Sequence, residues 1–475
     1  MPAHAASPSP GEGSLAQDTT ASKGSLLVIF LTVFIDLLGF GMVLPLLPLY
    51  AEKFGIAEHG WQLGLLMAIF SIMQFFFSPL WGRVSDRIGR RPVIIIGLMG
   101  SVVCYALFGF AAIQQSLPLL FISRMGAGIA GATISTAAAY IADVTTKEKR
   151  AKGMALIGVS FGLGFTFGPL LAWAALLSAK SEPAPATPAV VASAPLDAAT
   201  DSLTVDLDPA KTSAQEDREQ YQDVARSPLP GFVAAGLSFV ALMLAVFLLP
   251  ESLRPGVSHT HMGLFDVRAL RDSVSTPTIA ALLFTSFLSV TAFGGFETTA
   301  ALLLKDETQG FGMKFGQVPL FFAYIGIMLS LVQGGIVRRL STRLSEVTMA
   351  EIGFGLTSLG FVLLTVATLL HSWPLLFVAT GVSVGGFAFT TPSLSALISR
   401  RSDPDRQGGI MGVSQGVSAL ARIAGPLFAI PLFKSVSVVA PYYAAIALML
   451  IALLSLVLFA RHGRDFGSTA PTADH

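Results

Sequence analysis

Four ionisable residues interrupt long apolar stretches of this sequence: Asp36, Arg124, Glu297 and Arg422. An ionisable side chain inside a hydrocarbon layer is costly and commonly marks an ion or substrate pathway. A carboxylate can bind and release a proton, and a guanidinium can hold an anion or pair with a carboxylate. We therefore take these four residues as candidates for proton coupling and for the wall of a central cavity.

Each candidate also has a structural interpretation that the sequence leaves open. Asp36 and Arg124 can form a buried ion pair that fixes helix register, and Arg422, beside Gly425-Pro426, can be a packing residue. Glu297 lies in the segment FGGFETT at 293–299, where aromatic residues flank one carboxylate in a setting suited to a lipophilic cation. A hydrogen-bonded carboxylate near the outer end of its span is the alternative there.

The elements that carry these residues are predicted to be membrane-spanning helices. Over 475 residues the chain is 53% hydrophobic and 12% charged, about half the charge of an average soluble domain. Since a span needs about 20 apolar residues, the sequence predicts twelve, near 26–50, 62–81, 92–112, 117–142, 153–177, 229–249, 277–303, 317–337, 347–370, 374–398, 408–432 and 439–460. The net charge of +1 is unlike the basic footprint of nucleic-acid-binding proteins.

The distribution of basic residues predicts the topology. Of the 30 Lys and Arg residues, 17 fall in the loops that join spans 2–3, 4–5, 6–7, 8–9 and 10–11, and four fall in the short loops of opposite parity. The positive-inside bias therefore places both termini in the cytoplasm. We expect 1–25 to be a disordered cytoplasmic tail and 461–475 a cytoplasmic C-terminal tail.

Two stretches interrupt the hydrophobic pattern. Residues 178–228 hold nine acids and four bases with many Pro and Ala, which predicts a disordered acidic external loop with a short helix near 215–224. Residues 250–276 form a central cytoplasmic loop that separates an N-terminal bundle, 26–249, from a C-terminal bundle, 277–460. An internal repeat supports the division, because MALIGVSFGLGFTFGPLLA at 154–172 aligns with MGVSQGVSALARIAGPLFA at 411–429. Such 6+6 repeats are typical of transporters that rock one half against the other.

The loop between spans 2 and 3 reads WGRVSDRIGRRP at 81–92, with charges and glycines between two apolar runs. Gly82 allows close helix approach, Asp86 can accept from a helix N-terminus or pair with Arg90, and Pro92 suits the first turn of span 3. Three further motifs accompany it: DLLGFG at 36–41 with Pro45 and Pro48, RMGAG at 124–128 with YIAD at 140–143, and GFTFGP at 164–169. Together these motifs resemble the major facilitator superfamily, and within it the drug:proton antiporter branch that includes tetracycline-efflux-like proteins.

The resemblance covers nearly the whole chain and implies an all-α integral membrane fold with twelve transmembrane helices in two pseudo-symmetric six-helix bundles. It implies that spans 1, 4, 7 and 10 line the cavity. It also implies that a conformational latch of the outward-facing state forms from four residues: Gly82, Asp86, Arg90 and Asp143. A helix-bend motif at the contact between the halves is implied for Gly164, Gly168 and Pro169. The fold implies a monomer.

The chain departs from this branch at two places. Ala172 and Trp173 stand where the antiporter motif continues with a glycine pair. Span 3, with Cys104 and Tyr105, and span 9 lack the intramembrane acids of the tetracycline exporters. The second departure leaves the substrate open.

Several other patterns carry no chemistry here. GAGIAG at 126–131 has dinucleotide-binding spacing but lies inside a span with no preceding strand. His259 and His261 have too few neighbouring ligands for a metal site, and the chain has no P-loop and no HExxH. We expect no cofactor, with the proton gradient as the driving force, and no enzymatic activity.

The sequence thus predicts a secondary active transporter in the cell membrane that exports small amphipathic or lipophilic compounds in exchange for protons. The lipid bilayer, protons and a small molecule are its expected partners. Proton-coupled or facilitated uptake of a metabolite is one alternative. A transport-inactive sensor or a membrane-embedded enzyme is the other.

Overall fold

The computed structural model describes residues 14–53, 61–145, 147–179, 227–253, 271, 275–314, 317–402, 407–461 and 463. Within these residues the secondary structure is helical, and twelve helices are long and apolar enough to cross a membrane. The predicted all-α membrane fold is therefore confirmed.

The first half contains helices α1 to α6. Helix α1 comprises Ser14–Val43, a 3-10 turn at Leu44–Leu46 and Leu47–Lys53; α2 is Trp61–Ile88, α3 Arg90–Gln114, α4 Leu117–Gly131 with Ile134–Val144, α5 Lys147–Ala179 and α6 Leu229–Leu248. Proline in the first turn begins α4 and α6, where its missing N–H and fixed φ cost nothing.

The second half contains helices α7 to α12. Helix α7 is Pro277–Lys305, and α8 comprises Val318–Leu331, a π-helical segment at Val332–Val337 and Arg338–Leu340; α9 is Glu346–Leu369, α10 Trp373–Arg401, α11 Gln407–Ser435 and α12 Ala440–Ser455 with a π-helical end at Leu456–Ala460. Proline again stands in the first turn of α7, α8, α10 and α12.

The packing of the helices shows the pseudo-symmetry of the two halves. In the first half α1 packs on α5 and α6, and α3 packs on α4 and α6. The equivalent pairs form in the second half, where α7 packs on α11 and α12, and α9 packs on α10 and α12. The contacts between the halves are equivalent too, because α2 packs on α11 and α8 on α5. The two predicted six-helix bundles are therefore present.

The halves meet at the face opposite the chain termini. At the opposite face, Leu44–Lys53 contacts α7, and Gly64 packs against the backbone of Pro426. Near the terminal face, a Cβ added at Gly82 or Gly412 would meet none of the described atoms within 4 Å. At the terminal face the described residues therefore leave space beside these glycines of α2 and α11.

Helix α1 begins at Ser14, so the prediction that 1–25 is a disordered tail is wrong for residues 14–25. A helix already formed by the span extends by one hydrogen bond per added residue, which makes outward propagation easy. Residues 180–226 of the predicted external loop and most of 250–276 lie outside the described residues.

Candidate functional site

Asp36 lies near the middle of α1 and points into the first half. Ser238 of α6 donates a 2.9 Å hydrogen bond from Oγ to Asp36 Oδ1. Ser101 of α3 is a second hydroxyl in hydrogen-bonding contact with this carboxylate. Asp36 therefore links three helices of the same bundle through neutral partners.

Arg124 of α4 is almost completely buried, with 1% of its surface exposed. Its guanidinium carbon lies 4.8 Å from the ring centre of Phe70 and 5.8 Å from that of Phe40. Among the described residues, Nε and Nη1 have no hydrogen-bond partner. Arg124 therefore rests on aromatic faces, which attract a cation through the ring quadrupole.

The described residues show no ion pair between Asp36 and Arg124. Tyr105 of α3 is buried near both and interacts electrostatically with each. The two charged residues thus share a neighbourhood within the first half without direct contact.

Glu297 of α7 and Arg422 of α11 lie on helices that pack together in the second half. The two side chains interact electrostatically. Arg422 Nη2 also donates to Oε1 of Gln74, across the contact between the halves, at 3.4 Å. Gln74 Nε2 in turn donates to the carbonyl of Gly131 in α4 at 3.3 Å.

Gln74 is a site residue that the sequence analysis missed. It is 9% exposed and stands in an otherwise apolar part of α2. A polar amide in such a stretch needs partners on a neighbouring helix. The sequence could therefore have indicated that Gln74 bonds to another helix, although it does not identify Arg422 as the partner.

An aromatic pair adjoins Glu297. The rings of Phe293 in α7 and Phe387 in α10 stack with centres 3.8 Å apart and planes 5° from parallel. Phe293 stands four residues before Glu297, so both lie on one face of α7. The site thus combines a carboxylate, a guanidinium and a flat apolar surface.

The predicted charge cluster forms at the terminal face of the first half. Arg90 Nη1 lies 2.5 Å from Asp86 Oδ1, and Arg90 Nε lies 3.1 Å from Asp143 Oδ2. Arg90 is buried and also donates to Ser85 Oγ at 2.6 Å. In this conformation these contacts stay within the first half, with Gly82 facing open space nearby.

Glu251, just after α6, completes this cluster and was also missed. Its carboxylate accepts from the backbone N–H groups of Arg90 at 2.9 Å and Arg91 at 3.2 Å. These are the first two N–H groups of α3, and a carboxylate beside them interacts favourably with the positive end of the helix dipole. The residue before them, Gly89, provides no capping side chain. An uncapped helix start of this kind is the signal that could have indicated a distant acid.

The helix-bend motif lies in the part of α5 that contacts the second half, and its two glycines face α1. Gly164 and Gly168 of α5 pack against Leu37, Leu38 and Gly41 of α1, inside the first half. Contact with the second half comes from another face of α5, where Thr166 Oγ1 lies 3.0 Å from Ser330 Oγ of α8. Residues two positions apart point to different sides of a helix. Pro169 lies within α5 as predicted.

Comparison with known proteins agrees with this architecture. The family model of the Major Facilitator Superfamily matches residues 29–192 and 339–474. The tetracycline resistance protein, class C, of Escherichia coli is 29% identical over 87% of this chain and 91% of its own length. Major facilitator superfamily domain-containing protein 10 of Homo sapiens is 30% identical, with 85% of this chain and 86% of its own length covered. The crystal structure of the human organic anion transporter MFSD10 (TETRAN) superposes with a TM-score of 0.63 at 24% identity, covering 92% of this chain and 99% of that one.

Proposed function

Since this chain belongs to the Major Facilitator Superfamily and is a membrane transporter of small molecules, we propose that it exports small amphipathic compounds in exchange for protons. Transport follows alternating access, in which the cavity faces one side of the membrane and then the other. We place the protein in the cell membrane with both termini in the cytoplasm, and we take the cavity between the halves to be open to the cytoplasm in the conformation described above.

The observation that carries this proposal is the setting of Asp36. Its carboxylate is held by the hydroxyls of Ser238 and Ser101, and the described residues provide it no cationic partner within hydrogen-bonding distance. A hydroxyl donates to an ionised carboxylate and accepts from a protonated one. Both protonation states of Asp36 can therefore be satisfied without rearranging the bundle, which is what a site that loads and releases a proton needs.

Export rather than uptake is supported by the relatives. Tetracycline resistance proteins of several classes match most of this chain, and export of a drug is one way to produce such resistance. The second relative is described as an organic anion transporter. Both descriptions fit an amphipathic compound rather than a sugar or an inorganic ion.

The test uses purified protein in liposomes with an imposed pH gradient. Tetracycline, the lipophilic cation ethidium and the zwitterion naphthylalanine are the probes, followed with a fluorescent reporter of internal pH. We expect at least one probe to move against its own gradient while protons move the other way. Asp36→Asn mimics the protonated form, so it should abolish gradient-driven movement and retain probe-for-probe exchange.

The matched control is Glu307→Gln, which removes an exposed acid outside the spans and should transport as the unmodified protein does. If Asp36→Asn still concentrates a probe with the pH gradient, Asp36 has no part in coupling. If the unmodified protein moves probes only down their own gradients, the exchange with protons is wrong.

A further inference from the structure

The Glu297 and Arg422 pair has charge and hydrogen-bonding capacity that the protein itself leaves unused. The two groups interact electrostatically, but no salt bridge within 4 Å joins them among the described residues. Arg422 has five N–H donors and gives one long hydrogen bond to Gln74. Glu297, half-buried, accepts no hydrogen bond from the described residues.

Arg422 also lies at the contact between the two halves. Arg422 is an exposed residue at the middle of α11, although that helix crosses the membrane. Its contact with Gln74 of α2 directs it toward the first half and away from lipid. An arginine in this position can contact a solute that enters between the halves.

Glu297 and Arg422 together carry formal charges that sum to zero. A solute with a net charge would leave an unbalanced charge in a medium of low dielectric constant, which costs free energy. A solute that carries both charges keeps the balance and offers one partner to each member of the pair. Its cation can face Glu297 and its anion Arg422.

The stacked rings of Phe293 and Phe387 supply the apolar part of the site. Both rings are half-buried, and Phe293 lies one helical turn before Glu297. A planar aromatic body can lie against this pair with its charged groups directed toward Glu297 and Arg422.

We propose that Glu297, Arg422 and the Phe293–Phe387 pair bind a small aromatic zwitterion, so that zwitterions are the preferred substrates of this transporter. The proposal rests on the transport function above and names the substrate class of the same cavity. Gln74 holds Arg422 in the empty site and is displaced by the anionic group.

The experiment measures equilibrium binding to the full-length protein in lipid nanodiscs, without a pH gradient. Three aromatic amino acids are tested: naphthylalanine, biphenylalanine and tryptophan. Each is compared with two derivatives that have the same aromatic group. The methyl ester lacks the anion, and the N-acetyl derivative lacks the cation. We expect at least one zwitterion to bind about tenfold more tightly than both of its derivatives, the effect of one hydrogen bond to a charged group.

Two substitutions test whether Glu297 and Arg422 cause the preference for a zwitterion. Arg422→Gln should reduce binding of the zwitterion to the level of its ester and leave binding of the ester unchanged. Glu297→Gln should reduce binding of the zwitterion to the level of the N-acetyl compound. Arg461→Gln and Glu307→Gln, which change exposed residues outside the cavity, should keep the unmodified pattern.

Several results would overturn the proposal. An ester or an N-acetyl compound that binds as tightly as its zwitterion, or no binding by any zwitterion of the panel, contradicts it. So does equal weakening of all three compounds by Arg422→Gln, since that indicates a structural residue. Because no gradient is used, this preference can fail while proton-coupled transport succeeds, and the reverse.

Discussion

Gly89 allows the turn that joins α2 to α3 and brings the charge cluster together. Its φ of 107° and ψ of 155° lie in a region that only glycine occupies without strain. A Cβ at this position would also contact the Glu251 carboxylate that accepts from the first N–H groups of α3. One small residue therefore permits both the turn and the cap.

Gly89→Ala should lower the stability of the protein by about 1–3 kcal/mol, the cost of holding a side chain in this backbone region. Thermal unfolding in detergent measures it, and expression should fall as well. The matched control is Gly355→Ala in α9, where an added Cβ meets none of the described atoms within 4 Å. That substitution should leave the unfolding temperature unchanged or raise it, since alanine favours a helix. Equal unfolding temperatures for the two variants would contradict the role of Gly89.

The residues of the candidate site differ in how far the sequence could identify them. Asp36, Glu297 and the two arginines were predictable because the sequence alone shows an ionisable residue within an apolar segment. The hydroxyl partners of Asp36 were not, since Ser101 and Ser238 resemble any other serine of a membrane helix. Glu251 could not be identified from the sequence, because the helix start that it caps, at Arg90, lies 161 residues earlier in the chain.

Helix α5 packs against other helices through two different faces. Its glycines at 164 and 168 let α1 approach to backbone contact within the first half. On another face, Thr166 packs against Gly326 of α8 and spans the contact between the halves. Hydropathy predicts that α5 is a span, but it cannot assign these faces, because small residues permit close packing with any neighbour that also has them.

Gly326→Ala should shift the conformational equilibrium and preserve folding. The added Cβ would lie 2.5 Å from Thr166 Cα and 2.6 Å from Phe165 O, so the conformation described here loses stability relative to one in which the halves part at this face. A reporter cysteine at Gly412, in a Cys104→Ser background, measures the opening at the terminal face. Its reaction with a thiol reagent should slow.

Gly335→Ala, in the same helix but facing open space, is the control and should leave the reporter reaction unchanged. Gly168→Ala is informative in another way, because it disturbs a contact inside one half and should lower expression. An unchanged reporter rate in well-expressed Gly326→Ala protein would show that the α5–α8 contact does not bias the two conformations.

The whole molecule repeats one architecture twice but reverses a charge pair. In the first half Arg90 at the start of α3 pairs with Asp143 at the end of α4. In the second half the acid stands at the helix start, where Glu346 of α9 lies 2.7 Å from Arg400 at the end of α10. Glu346 suits the positive end of the α9 dipole, whereas Arg90 does not suit that of α3. Glu251 compensates in the first half, which gives a physical reason for the difference between the halves.

The topology of the molecule relative to the membrane is the remaining prediction, and it rests on parity and charge. With twelve spans both termini lie on one face, while the connection between α5 and α6 lies on the other. Basic residues concentrate in the loops of the terminal face, which the positive-inside bias assigns to the cytoplasm.

In a Cys104→Ser background, a cysteine at Ser202 should therefore react with a membrane-impermeant thiol reagent added to intact cells. A cysteine at Ser468, near the C-terminus, is the matched control and should react only after lysis. Both positions lie in hydrophilic sequence outside the spans, so a difference in their labelling reports sidedness rather than burial in the membrane. The opposite pattern, with Ser468→Cys labelled and Ser202→Cys protected until lysis, would invert the topology. The cavity described here would then open to the exterior, and the same conformation would be the one that takes up solutes from outside.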